Sequence, residues 1–317
     1  MRLFEACAPD FPVTDPGLAT IEDVKLVHGS DYIDTVQRLS QGLSCPEEAV
    51  RAAGFLSGDN PAFSGMHDAA LAYSGGATQA ARDIANGGML SMTVTGGLHH
   101  ARQNQASGFC IYNDCAMAVS ILRKAFERVL YVDIDLHHGD GVQWIFYEDR
   151  SVMTLSIHED GRFLYPGTGH VSERGAENSS VNIPLLPYTT GDVWLDALRE
   201  VLKASVDRFR PEAVVLQMGT DAHVLDPLGH LSVSAQEWLE GIVLVKDLGL
   251  PLVALGGGGY EQTTVPRMWV AALLTLLGLP VPDTQPDGRA FFDENLPTPR
   301  DNNRAQAEDI VRRVLHG

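Results

Sequence analysis

The sequence predicts an α/β fold, a single three-layer domain in which a mostly parallel sheet is flanked by helices. Two observations carry this. Short β-branched runs alternate through the middle of the chain with longer segments of helical period, as in successive βα units. Residues able to bind a metal or move a proton cluster just beyond the carboxyl ends of those runs, where an open α/β sheet places its ligand crevice. A chain of 317 residues has room for two domains, but a large sheet of this kind commonly uses that length in one. Residues 1–317 are therefore read as one domain, with a core over 20–280 and a wrapped tail and helix over 281–317.

The expected strands are Ser91 to Thr95, Val129 to Asp133, Val152 to Ile157, Val181 to Leu185, Ala213 to Met218 and Leu252 to Leu255. The clearest helix runs from Asp192 to Phe209, where Val193, Ala197, Leu198, Val201, Leu202 and Ser205 share one face. Thr190 is expected to cap it and Pro211 to stop it. Further helices are expected over Asp68 to Asn86, Asn113 to Phe126, Ala235 to Leu248, Val265 to Leu277 and Ala305 to Leu315. The first thirty residues look irregular, and proline, aspartate and asparagine dominate from Pro280 to Arg304.

Composition excludes some functions. Forty-one acids against twenty-three bases give a formal charge of −18, which repels phosphate backbones and leaves no basic stripe for nucleic acid. No apolar run reaches the roughly 18–20 residues of a membrane helix, so the reading is of a protein with no membrane role. Cys7, Cys45, Cys110 and Cys115 lack paired spacing and no leader is evident, so a reducing cytoplasm is expected, with the cysteines as packed thiols.

Four strand ends carry the chemistry. Gly96-Gly97-Leu98-His99-His100 follows the first strand, and Asp133-Ile134-Asp135-Leu136-His137-His138-Gly139-Asp140 ends the second. Gly219-Thr220-Asp221-Ala222-His223 follows the fifth, and Gly256-Gly257-Gly258-Gly259-Tyr260 the sixth. Asp135 and His137 are two residues apart, so in an extended segment they project to the same side and can share a metal. Asp221 would complete a two-carboxylate, one-imidazole set with an open position, the arrangement of a catalytic site. Two carboxylates weaken the cation as a Lewis acid, so extra electrophilic help is needed. Tyr260, placed by its glycine run, can donate to a developing oxyanion. His99 and His100 can transfer protons, with Asp133 and Asp140 orienting them. An Asp-x-His pair or a glycine run alone is weak evidence; their joint appearance at strand ends carries the reading. His28, His67, His158, His170, His230 and His316 lack such company and read as structural or surface residues, as does His223 despite its closeness to Asp221.

With these residues assembled, the sequence resembles the histone deacetylase family, within the arginase–deacetylase fold, over roughly residues 20 to 280. The stretches that carry the resemblance include Gly97-Leu98-His99-His100-Ala101, Ala106-Ser107-Gly108-Phe109-Cys110, Val132 to Gly141, Tyr165-Pro166-Gly167-Thr168-Gly169 and Leu255 to Tyr260. Gly58 to Phe63 and Asp221 to Leu228 look most like the bacterial acetoin-utilisation branch. The resemblance implies hydrolysis of an acetyl-lysine amide with release of acetate. It implies zinc, or iron(II) as in some members, at Asp135, His137 and Asp221, and a water activated between that metal and His100. His99 would pair with Asp133 and His100 with Asp140, while Tyr260 polarises the acetyl carbonyl. Phe109 and Tyr165 match the aromatic walls of an acyl-lysine tunnel, with Gly108 and Leu228 near it and Asp59 at its rim. A structural potassium is implied at Asp133, Asp135, His137, Ser156 and Ile157. The implied partner is an acetylated protein or peptide, for example a metabolic enzyme such as an acyl-CoA synthetase. Before Val27-His28 the chain departs from the family, whose usual opening strand and arginine behind the active site find no counterpart, so a shortened sheet edge is expected.

Two alternatives use the same residues, an amidohydrolase for acetylated polyamines and other small N-acyl amines, and a non-catalytic relative that binds metal or an acylated partner. The second is disfavoured by Tyr260, His99 and His100. A two-metal, arginase-like site ranks below both, since it would want more carboxylates than Asp135-Leu136-His137-His138 offers.

Overall fold

Six strands form one parallel sheet in the computed structural model, which describes residues 1–297 and 299–316. They are β1 (Leu90–Thr93), β2 (Val129–Asp133), β3 (Val152–Glu159), β4 (Ser180–Leu185), β5 (Ala213–Gln217) and β6 (Leu252–Leu255), in the order β1-β6-β5-β2-β3-β4. Side chains alternate between faces along each strand. Leu130 and Val132 of β2, Val214 and Leu216 of β5, and Leu252 and Ala254 of β6 therefore enter one core layer. Val129 and Tyr131, Ala213 and Val215, and Val253 and Leu255 enter the other. Burial on both faces is why these strands read as unbroken apolar runs, the signature of a parallel sheet under helices.

The helices are α1 (Arg2–Cys7), α2 (Ile21–Val24), α3 (Ser30–Ser40), α4 (Glu47–Ala52), α5 (Met66–Ala85), α6 (Asp114–Leu122), α7 (Asp140–Ile145), α8 (Gly191–Phe209), α9 (Ala235–Lys246), α10 (Thr264–Leu276) and α11 (Arg304–His316). Residues of α3, α5 and α6 fill one layer, and those of α8, α9 and α11 the other, so the three-layer expectation holds. Helices α1 to α4 and α7 were not expected from the pattern, and α6 stops at Leu122 rather than Phe126. Thr190 occupies the first cap of α8, but its hydroxyl donates to the Asp192 carboxylate instead of accepting a backbone N–H. The chain leaves α8 through Arg210 in the left-handed region (φ 52), one residue before Pro211. One side of the sheet ends on β1, all of whose residues are only partly buried. Among the described residues no helix is long and apolar enough to cross a membrane.

From β2 the sheet grows through β3 and β4 to one side and through β5 and β6 to the other. The carboxyl ends of β2 and β5 thus flank a topological switch point, where open α/β sheets form their crevice. Asp133 lies in register with Gln217 across that junction.

Candidate active site

The segment leaving β2 places Asp135 and His137 on one side, and the loop after β5 brings Asp221 against them. One ligand atom from each lies within 4.8 Å of the others, and all three residues are buried. His137 Nδ1 stands 3.2 Å from Asp135 Oδ1 and 3.0 Å from Asp221 Oδ2. Burial alone would pull the His137 imidazole down, but its bonds to the two carboxylates push it up to about 10. Burial and then the neighbouring Asp135 hold the Asp221 carboxyl up at about 7, while Asp135 itself is held low by His99 and His137 against its own burial. Two buried carboxylates meet here, and among the described residues neither has a lysine or arginine partner. Such a donor set fits a divalent cation, with two oxygens and one imidazole nitrogen around a common point.

The backbone closes around these ligands. Asp135 Oδ2 accepts from Gly258 N at 2.8 Å, and Asp221 Oδ1 accepts from Leu136 N at 2.8 Å. A Cβ at Gly258 would lie 2.2 Å from Asp221 Oδ2, so the glycine run is required at this position by close approach. Of the four glycines only Gly259 has a positive φ, 148°.

The two histidines after β1 form separate pairs. His99 Nδ1 is 2.7 Å from Asp133 Oδ2, His100 Nδ1 is 2.7 Å from Asp140 Oδ1, and the two Nε2 atoms are 3.1 Å apart. Burial opposes a charge on His99, yet Asp133 and then Asp135 push it up to about 9. Burial and then the charge on His99 pull His100 down to about 4, against Asp140. One imidazole is held protonated and the other neutral, a separation of roles that suits a proton acceptor beside a fixed cation. Arg102 reaches the second oxygen of Asp140 at 3.2 Å.

Aromatic side chains stand around this pair. The Tyr165 ring lies 5.0 Å from that of His100 and 6.4 Å from that of His137, and its hydroxyl is 2.5 Å from Ser107 Oγ. Phe109, with φ 67, is 55% exposed and faces Tyr260 at 6.3 Å. Gly108 packs so closely that a Cβ would meet His100 Cδ2 at 2.4 Å. Asp59, Gly108 and Tyr165 share a surface groove of about 290 Å³, and Leu228 is exposed on the loop that carries Asp221. The Tyr260 backbone N–H donates to Asp226 Oδ2 at 2.8 Å. Burial and then Asp221 and Asp135 push its phenol far up, which keeps it a hydrogen-bond donor. Ser156, within β3, lies opposite Asp133, the last residue of β2, and Ile157 follows it, while Asp135 and His137 continue just beyond β2.

Several supporting residues escaped the sequence reading. Gln217 Nε2 donates to Asp135 Oδ2, and Asn113 Nδ2 donates to the carbonyls of His99 and Ala101 at 3.0 and 2.8 Å. His28, read as merely structural, accepts the Asn113 N–H on Nε2 at 2.9 Å and donates from Nδ1 to the Gln103 carbonyl at 3.0 Å. A polar residue ending the apolar run Ala213 to Leu216 was the available signal for Gln217. No local signal existed for His28, which lies 85 residues from Asn113.

The crevice at the switch point thus gathers a buried two-carboxylate, one-imidazole group and a histidine pair. The model of the histone deacetylase domain matches residues 3–276, and the chain belongs to the histone deacetylase family. It is similar to the acetoin utilization protein AcuC of Bacillus subtilis (strain 168), 42% identical over 281 residues that cover 85% of this chain and 72% of that protein. Its identity to AcuC of Staphylococcus xylosus is 39% over 277 residues, covering 84% and 72%. Among solved structures, an HDAC homolog complexed with SAHA aligns with a TM-score of 0.90 at 27% identity, over 99% of this chain and 92% of that one. An HDAC homolog from Aquifex aeolicus gives 0.89 at 26% identity, with the same coverage.

Proposed function

We propose that this protein hydrolyses the acetyl-lysine amide of an acetylated protein or peptide and releases acetate. The observation that carries the reading is the placement of the buried Asp135-His137-Asp221 group beside the His100–Asp140 pair, with Tyr165, Phe109 and Tyr260 around them. Asp135, His137 and Asp221 would hold zinc, or iron(II). When bound, that ion supplies Lewis acidity to the acyl carbonyl and to a water. His100, neutral and donating Nδ1–H to Asp140, becomes the proton acceptor for that water once Nε2 exchanges its contact with His99 Nε2 for it, and later returns a proton to the departing amine. His99, held protonated by Asp133, keeps a positive charge beside the reacting atoms. The Tyr260 hydroxyl donates to the carbonyl oxygen as charge gathers there, which offsets the weakened acidity of a cation held by two carboxylates. Phe109, Tyr165, Gly108 and Leu228 pack along the aliphatic stem of the lysine, and Asp59 binds the peptide at the rim. A potassium would be held by Asp133, Asp135, His137, Ser156 and Ile157, whose segments adjoin in the β2–β3 register.

The proposed partner is an acetylated metabolic enzyme, such as an acyl-CoA synthetase. Free cysteines, two of them buried, support a reducing cytoplasm as its location. The test is turnover of a fluorogenic acetyl-lysine peptide against an acetylated diamine, by protein loaded with zinc or iron(II). Asp135→Ala, His137→Ala and Asp221→Ala should each lose metal and activity together. Preference for the diamine would replace the substrate assignment, and full metal occupancy in any one variant would remove that residue from the ligand set.

A further inference from the structure

The segment between α10 and α11 lies beyond residue 276, where the match to the family domain stops. It nonetheless sends one buried carboxylate to the loop that carries Asp221. Asp293 Oδ2 accepts from His223 Nε2 at 3.0 Å and from the Ala235 N–H, the first residue of α9, at 2.7 Å. Its Oδ1 accepts from Arg267 Nη2 of α10 at 2.5 Å. Gln236 brackets its backbone, accepting from Asp293 N at 3.1 Å and donating to Asp293 O at 2.8 Å. Phe291, two residues earlier, is buried, and its carbonyl accepts from Arg267 Nη1 at 2.6 Å. Three donors from three elements thus meet on one carboxylate.

His223 receives this carboxylate two residues after Asp221. Its Nδ1 accepts the Leu225 N–H at 3.2 Å, so Nε2 carries the proton that Asp293 binds, and the ring is fixed at both ends. The same loop continues to Asp226, whose carboxylate holds the backbone of Tyr260 on one oxygen and that of Leu228 on the other. From this geometry we infer that Asp293 is a positioning residue for the metal centre, a strap from outside the matched domain that fixes the loop carrying Asp221. The inference rests on the metal reading of Asp135, His137 and Asp221. Groups that hydrogen-bond a ligand orient it, and their loss typically weakens metal affinity about 10–100-fold; Asp293 touches no ligand and acts through the backbone of the loop, so the low end of that range is expected.

The experiment compares wild type with Asp293→Ala, Asp293→Asn, His223→Gln and Arg304→Ala. Arg304 belongs to the same C-terminal region but pairs with Asp192 and Asp196 on α8, so it controls for general anchoring of the tail. Zinc Kd is read by competition with a chromophoric chelator, the cobalt(II) absorption spectrum reports ligand geometry, and circular dichroism reports folding. Asp293→Ala should weaken zinc about 10-fold and alter the cobalt bands, and His223→Gln should do the same. Asp293→Asn, which keeps an acceptor oxygen, should restore part of the affinity. Arg304→Ala should lower Tm while zinc Kd stays within about twofold, well below the loss expected for a ligand's partner. Wild-type zinc affinity and cobalt spectrum in folded Asp293→Ala or, where that variant does not fold, in Asp293→Asn and His223→Gln, would overturn the inference alone. A parallel loss in Arg304→Ala would overturn it too, since any loosening of the tail would then suffice. A wild-type protein that takes up no metal would overturn the reading of the site, and the inference with it.

Discussion

Gln217 donates its Nε2–H to Asp135 Oδ2 at 2.7 Å and accepts the Gly219 N–H on Oε1 at 2.8 Å, joining the end of β5 to the segment that leaves β2. Gln217→Leu keeps the volume but removes both bonds, leaving the Gly219 N–H buried without its acceptor. Metal affinity should fall about 10–100-fold while the far-ultraviolet spectrum stays unchanged. Equilibrium dialysis against zinc checks this, and an unchanged Kd would mean that the Gly258 amide alone fixes Asp135.

On the proposed mechanism, Tyr260→Phe removes a donor that acts mainly as charge develops on the substrate. Its kcat should fall about 10²–10³-fold, with metal content and KM close to wild type. Steady-state kinetics with the acetyl-lysine peptide decide, and turnover within about threefold of wild type would mean the phenol is not aimed at the carbonyl.

Phe109→Ala should behave in the opposite way. A wall that touches ground and transition states alike changes KM more than kcat, so the KM of this variant should rise more than that of Tyr260→Phe. An unchanged KM would remove Phe109 from the binding surface.

His28 supplies a pH dependence whose sign follows from its bonds. Burial pushes it down to about 4, despite the Gln103 carbonyl, whereas an imidazole in the unfolded chain titrates near 6.5. Between those values the unfolded chain takes up a proton that the folded one refuses, so stability falls as pH falls from about 6.5 to about 4. The stability difference between wild type and the non-titrating His28→Gln, from urea unfolding in chelator, should narrow by about 3 kcal/mol over that window, at about 1.4 kcal/mol per pKa unit. A constant difference would show that His28 is not held neutral.

The strands and the residues at their ends were legible because both follow local rules. Two-sided burial writes β2, β5 and β6 as continuous apolar runs, and the crevice of a parallel sheet opens at the carboxyl ends of those runs. Helix α3 was harder to read, since Ile33, Thr35 and Val36 are β-branched and no capping box precedes Ser30. Thr20 and Asp23 do form a capping box on α2, a signal that was present and went unread. Helix α7 spans six residues, too few to show a period. The partners His28 with Asn113 and His223 with Asp293 are separated by 85 and 70 residues, and nothing in the local pattern of either member names the other.

Phe109 adopts φ 67 with its ring more than half exposed, so a bulky side chain is kept in the left-handed region where the core gains little. Such a conformation costs on the order of 1–3 kcal/mol. Glycine or asparagine would relieve that penalty and, on the proposed function, remove a wall of the acyl-lysine path. A thermostability screen run without an activity filter would therefore enrich for replacements at position 109, and its most heat-resistant clones would be among its poorest binders.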